Sequence, residues 1–237
     1  MPRSLPDHWF YAPPTRADAE RCHFDTEESR HASKALRLRS GDEIQWMDGV
    51  GGRYEGTITD LQRDRMTARV DRSAREAPPR GLRLCVGRLH DAARLEWLVE
   101  KATELGATEI VLLDTERVQR TRYRMERLHA KALAATKQSA RAYLPQLRED
   151  SFEEAVAKTE DAVRLIAHCY EDLARAPLAG FAAQTQPMAL FIGPEGDFTR
   201  EEVVLAEAHQ CHAVSLGSAR LRTETAAVAA LALLALR

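Results

Sequence analysis

The chain has only four cysteines in 237 residues, Cys22, Cys85, Cys169 and Cys211, and no CxxC pair among them. That spacing excludes a disulfide framework and a cysteine zinc site, and predicts free thiols in a reducing compartment. Long apolar runs are lacking as well: the longest, Ala226 to Leu236, is too short to span a bilayer. The N-terminal stretch MPRSLPDHWFYAPP has no apolar core of the kind an export signal carries, so a cytoplasmic protein with no membrane partner is expected. No GxxxxGKS or GxxxxGKT loop occurs, which argues against a phosphate-gripping P-loop. Excess positive charge is absent too. A net charge of −2 argues against a uniformly basic nucleic-acid binder.

Apolar residues make up 44% of the chain, enough for a core without covalent staples, and the length allows one large domain or two modest ones. Residues 1–74 are β-rich: EIQWMD, GRYEGTITDL and MTARVDR alternate apolar and polar residues, and Gly49, Gly51 and Gly52 mark a turn. One helix is expected there, over Glu27 to Leu38, with Ala32, Ala35, Leu36 and Leu38 as candidates for its apolar face. Arg30, Lys34, Arg37 and Arg39 lie on that helix, either as RNA phosphate contacts or as ordinary solubilising charges. Residues 75–81, with Pro78 and Pro79 paired, form a stiff linker.

Over residues 82–237 strands and helices alternate, which implies a parallel sheet with helices on both faces. LRLCVGR, TEIVLL, AVRLIAHC, MALFI and HAVSL are the strands. Asp91 caps a helix that Gly106 ends, a long helix covers Met125 to Ala142, and Ser151 with Glu154 caps a short one. Charge is segregated along this half. Thr115 to Asp150 holds nine Lys/Arg against four Asp/Glu, whereas Ser151 to Arg237 holds seven against twelve. Arg117, Arg120, Arg122, Arg124 and Arg127 sit in and beside a loop, where arginine suits backbone phosphates; a solvated helix face is the plainer alternative.

Two glycine-bearing loops stand out near the C-terminus. MALFIGPEGDFTREEV and VSLGSARLRTETAAVAALALLAL each run from an apolar strand through a glycine turn into a helix. Glycine lets backbone approach a ligand and reach positive φ, Pro194 stiffens the first turn, and Thr199 with Glu202 forms a capping box. In open α/β sheets ligands bind at such strand ends. Arg222, Thr223, Glu224 and Thr225 crowd polar groups beside a strongly apolar helix, a density that points to a ligand rather than to turn geometry alone.

FIGPEGDF together with LGSARLRTETA resembles the motifs of the RsmE family, the ribosomal RNA methyltransferases that methylate N3 of a uridine in 16S rRNA. ESRHASKALRLRSGDEI, WMDGVGGRYEGTI, LEWLVEKATELGATEIVLL, ERVQRTRY and KQSARAYLPQL extend the likeness along the whole chain. The resemblance implies an α/β fold: a C-terminal SPOUT-type parallel sheet with a deep trefoil knot, preceded by a small PUA-like β-barrel. It implies S-adenosyl-L-methionine as cofactor, 16S rRNA or the small ribosomal subunit as partner, and a homodimer through the C-terminal helix. With that cofactor, Ile192, Gly193, Glu195, Gly196, Leu216, Gly217, Leu221, Thr223 and Thr225 would form its cradle. His168 either lines the same cleft or is satisfied by a neighbouring carbonyl. Arg222 is the candidate to stabilise the uracil anion, and Glu224 is either a base or the ion-pair partner of Arg222. Glu195 either positions substrate or holds its own turn. A noncatalytic RNA-binding or ribosome-assembly protein, or an enzyme for another RNA base, are the alternatives. The chain departs from the family pattern at Lys137 and Ala140, where many members carry Glu and Gly.

Overall fold

The computed structural model describes residues 8–18, 20–118 and 122–235. The chain divides into two compact units, Met1–Pro78 with Thr136–Leu144, and Pro79–Ala135 with Pro145–Arg237.

The first unit contains β1 (Trp9–Tyr11), β2 (Arg21–Phe24), α1 (Thr26–Arg30), β3 (Glu43–Met47), β4 (Gly52–Leu61) and β5 (Met66–Arg75). They form one mixed sheet in the order β1-β3-β4-β5-β2, in which only the β1–β3 pair is parallel. Strand alternation turns Phe10, Phe24, Ile44, Trp46, Ile58 and Met66 into a common core. There the Phe24 ring meets Trp46 edge-on at 5.6 Å, and Tyr54 stacks on Trp46 at 5.4 Å. Asp25 caps α1 through the Glu28 amide, and the helix continues as a π turn over His31–Ala35. It stops there because Arg37 adopts φ 55. Arg37 and Arg39 therefore follow the helix and do not lie on it, which corrects the expected span to Leu38.

Thr136–Leu144 joins this unit with nothing in its composition to announce it. The Leu144 and Gly51 amides donate to Gly49 and Ala142 carbonyls, and Lys137 Nζ lies 2.6 Å from the carboxylate of Glu28, a residue only 3% exposed. Burial pushes the Glu28 carboxyl up in pKa, and Lys137 draws it back. Lys137 thus answers a buried charge.

The second unit contains β6 (Leu82–Gly87), α2 (Ala92–Glu104), β7 (Glu109–Asp114), α3 (Met125–Gln138, its last turn counted with the first unit), β8 (Gln146–Ser151) and α4 (Phe152–Ala157). It continues with β9 (Val163–Ala167), β10 (Ala176–Pro177), β11 (Met188–Ile192), α5 (Arg200–Ala208), β12 (His212–Ser215) and α6 (Thr223–Ala235). All seven strands are parallel, in the order β10-β12-β9-β11-β6-β7-β8. Phe152, Phe191, Phe198 and Val203 pack one core, and α6 packs against α2, β6 and β11. Of α6, Ala227, Ala230, Leu231 and Leu234 are buried, while Thr225, Ala229 and Leu233 form an exposed stripe. No helix among the described residues is long and apolar enough to cross a membrane.

α3 ends at Gln138, four residues before the expected Ala142, in a Schellman motif. The Ala140 amide donates to Lys137 O and the Arg141 amide to Thr136 O, with Ala140 at φ 52. A Cβ strains that conformation, so Ala140→Gly is expected to stabilise the protein by about 1 kcal/mol. Lys137→Ala strands the Glu28 carboxylate and is expected to cost about 3 kcal/mol. Urea unfolding of both variants checks this; opposite or null shifts would contradict the account.

Candidate active site

The parallel sheet delivers the ends of β9, β11 and β12 to one side of the second unit, and a cavity of about 480 Å³ opens there. The loop after β11 forms its first wall. Pro194 packs so tightly against the end of β6 that a Cβ on Gly87 would stand 2.4 Å from Pro194 N. Glu195 Oε1 accepts the His90 amide at 3.1 Å. Asp197 turns the chain at φ 63, and its carboxylate accepts the Cys169 and Phe198 amides, both at 2.8 Å. The left-handed residue is thus Asp197. Gly193 and Gly196 lack positive φ and face protein atoms, Phe198 N and the Arg117 side chain, so both fit the loop to its own scaffold.

The capping box of α5 forms as expected, and it reaches further. Glu202 accepts the Thr199 amide at 2.8 Å with one oxygen and the Glu116 amide at 2.9 Å with the other. Arg117 donates to the Gly196 carbonyl at 3.1 Å and to the Tyr170 hydroxyl at 3.3 Å. A side chain expected to face RNA therefore steadies the loop.

The second wall is Val214 to Thr223. Gly217 takes φ 117, and a Cβ there would meet nothing within 4 Å, so the backbone borders open space. Of the residues expected from sequence, His168, Ile192, Gly193, Glu195, Leu216, Gly217, Leu221, Arg222 and Thr223 line the cavity, and Gly196, Thr225 and Glu224 do not. Arg222 is exposed, with no ion pair among the described residues. Glu224 is 7% exposed and faces Arg94 at 3.8 Å, so its partner is Arg94 and not Arg222. Arg94, Asp197 and Arg220 also line the cavity and were missed. The only cue for Arg94 was its place on the first turn after a parallel strand.

Of the other basic candidates, Arg30 pairs with Asp64 at 2.7 Å on the surface, and Lys34, Arg37, Arg39, Arg122 and Arg124 are exposed. Arg120 lies outside the described residues. Among the described residues no cluster of His, Cys, Asp or Glu could hold a metal ion.

His168 is 4% exposed. Its Nδ1 accepts the Tyr170 amide at 3.3 Å, which leaves the proton on Nε2, a buried atom without a partner among the described residues. Burial first, then the charge of Arg175, holds its pKa below the ordinary 6.5. A depressed histidine pKa favours folding above the unfolded value and loses that contribution as pH falls through the folded one. Ring nitrogen NMR at neutral pH is expected to show a neutral imidazole protonated on Nε2, titrating below 6.5. A proton on Nδ1 would contradict the geometry.

A family model described as an RNA methyltransferase domain matches residues 76–235, and one described as an RNA methyltransferase PUA domain matches residues 24–71. A ribosomal RNA small subunit methyltransferase E from Synechocystis is 30% identical over 213 residues, which cover 87% of this chain and 70% of that one. A crystal structure of a Porphyromonas gingivalis protein is 33% identical with a TM-score of 0.84, covering 94% of this chain and 95% of that one. The Neisseria gonorrhoeae ribosomal RNA small subunit methyltransferase E, solved bound to S-adenosyl methionine, is 26% identical with a TM-score of 0.80 and covers 95% of each chain. With two family models in order and relatives matched over nearly its full length, the chain belongs to the ribosomal RNA small subunit methyltransferase E family of RNA methyltransferases.

Proposed function

We propose that this protein uses S-adenosyl-L-methionine to methylate N3 of a uridine in 16S rRNA of the small ribosomal subunit. The observation that carries the proposal is the cavity itself, built from the two loops that leave β11 and β12 on either side of the β9 end. Its residues suit the cofactor. The walls are apolar at Ile192, Leu216 and Leu221, Gly217 leaves space open, and the buried Nε2 of His168 awaits an acceptor. Ile192, Leu216 and Leu221, with the backbone of Gly193 and Gly217, would hold the adenosine end, and Glu195 and Asp197 hold the loop in shape. When bound, the cofactor supplies an activated methyl on a sulfonium.

This chain's contribution is electrostatic. Uracil N3 must lose its proton, which spreads negative charge onto O2 and O4, and a fixed cation lowers the energy of that anion. Arg222, at the cavity with no competing ion pair among the described residues, suits this role. Glu224 does not line the cavity, which argues against its serving as the base.

The mixed sheet of the first unit and the PUA-domain match support an RNA-docking PUA-like barrel, with Arg30, Lys34, Arg37 and Arg39 beside phosphates and Arg120, Arg122 and Arg124 adding contacts. The return of α6 onto α2 and β6 from the β12 side of the sheet supports the family's trefoil knot. The exposed stripe of Thr225, Ala229 and Leu233 supports a homodimer through α6.

Incubation with labelled cofactor and small subunits lacking the modification is expected to place label in 3-methyluridine. Arg222→Ala is expected to lower kcat about a hundredfold, the scale of a lost transition-state donor, with cofactor affinity little changed. Label in another nucleoside would overturn the assignment. Leu233→Glu is expected to sediment as a monomer, and an unchanged dimer would remove α6 from the interface.

A further inference from the structure

Arg94 enters the cavity from α2, a direction that neither glycine loop accounts for. Its guanidinium lies 3.8 Å from Glu224 and 3.9 Å from Asp91, too far for hydrogen bonds, and it makes no other contact of that kind among the described residues. Five donors are therefore uncommitted. Glu224 is complementary: buried on the first turn of α6, with Oε2 lacking a hydrogen-bond partner among the described residues. A buried carboxylate is costly unless a cation or a helix N-terminus offsets it, and here both stand beside it. The remaining cations of the cavity differ. Arg175 is committed to the His168 carbonyl at 2.7 Å, and Arg220 and Arg222 are exposed. Arg94 alone among these lining arginines combines partial burial, free donors and a buried carboxylate behind it.

We propose that Arg94 receives a delocalised oxyanion of the bound reactants, with Glu224 as the residue that positions it. The planar fork of a guanidinium matches such an anion with two parallel hydrogen bonds. The inference rests on the methyltransferase reading of the cavity, which offers two sources of this chemistry: the carboxylate at the amino-acid end of the cofactor, and the ionised imide oxygens of the target uracil. Atoms balance in either case, since Arg94 donates hydrogen bonds and transfers no proton.

Calorimetric titration with S-adenosylhomocysteine and with 5′-methylthioadenosine, which lacks the amino-acid end, separates the sources. If the carboxylate is the partner, Arg94→Ala weakens S-adenosylhomocysteine roughly tenfold to a hundredfold, the worth of a charged hydrogen bond, and leaves 5′-methylthioadenosine unchanged. If the imide is the partner, both nucleosides bind as in wild type, kcat falls with little change in KM, and the limb of the pH–rate profile that reports imide ionisation moves to higher pH. In either case Glu224→Gln reproduces the Arg94→Ala pattern in weaker form, and Arg94→Lys recovers part of the loss. Equal losses for both nucleosides, or binding and turnover identical to wild type, would overturn the assignment. Wild-type protein that binds neither nucleoside overturns the reading of the cavity as a whole, and this inference with it.

Discussion

Strand β6 must end in a residue without a side chain, because the loop leaving β11 occupies the space that a Cβ would take. The two strands pair in parallel with Val86 opposite Ile192, which brings Gly87 against Pro194. From that contact the loop is tied outward by three acidic side chains, each to a different segment. Glu195 takes the His90 amide before α2, Asp197 takes the Cys169 amide after β9, and Glu202 takes the Glu116 amide after β7. Glu202 is buried and accepts two backbone amides, so loss of its side chain would leave buried donors unpaired at a cost of about 1–3 kcal/mol each. Three of the four acidic residues of GPEGDFTREE, Glu195, Asp197 and Glu202, thus brace a cavity wall by pinning neighbouring loops around it.

That bracing shapes the electrostatics. With these carboxylates turned toward backbone amides, the cavity is left with arginines from three segments: Arg94 on α2, Arg175 after β9, and Arg220 and Arg222 after β12. A chemistry that builds negative charge on a base ring calls for such a surface, and a fixed cation costs no reorganisation when the charge develops. His168 adds a neutral donor, its tautomer set by Tyr170.

Local pattern carried most of this fold. The capping boxes at Ser151–Glu154 and Thr199–Glu202, the Asp91 cap, and strands β6, β7, β9, β11 and β12 follow from short-range chemistry that needs no partner. Strand β8 escaped because QLREDS is polar, as suits the edge of a sheet. The end of α3 escaped because an alanine took a conformation that alanine disfavours. Side-chain partners were least legible. Arg117 reads as one of a run of phosphate-facing arginines, yet it bonds the Gly196 carbonyl, 79 positions away. Glu224 sits two residues from Arg222 but faces Arg94 across the fold. Sequence proximity suggested one pair, and packing of α6 on α2 made the other.

Backbone contact at Gly87 thus sets the shape of the cavity. Titration of S-adenosylhomocysteine into wild type and Gly87→Ala tests it most directly. Displacing Pro194 is expected to cost about 1–3 kcal/mol of stability, the usual scale of overpacking, while the protein stays folded and its affinity for the nucleoside drops at least tenfold. A folded Gly87→Ala protein that binds as tightly as wild type would contradict the account.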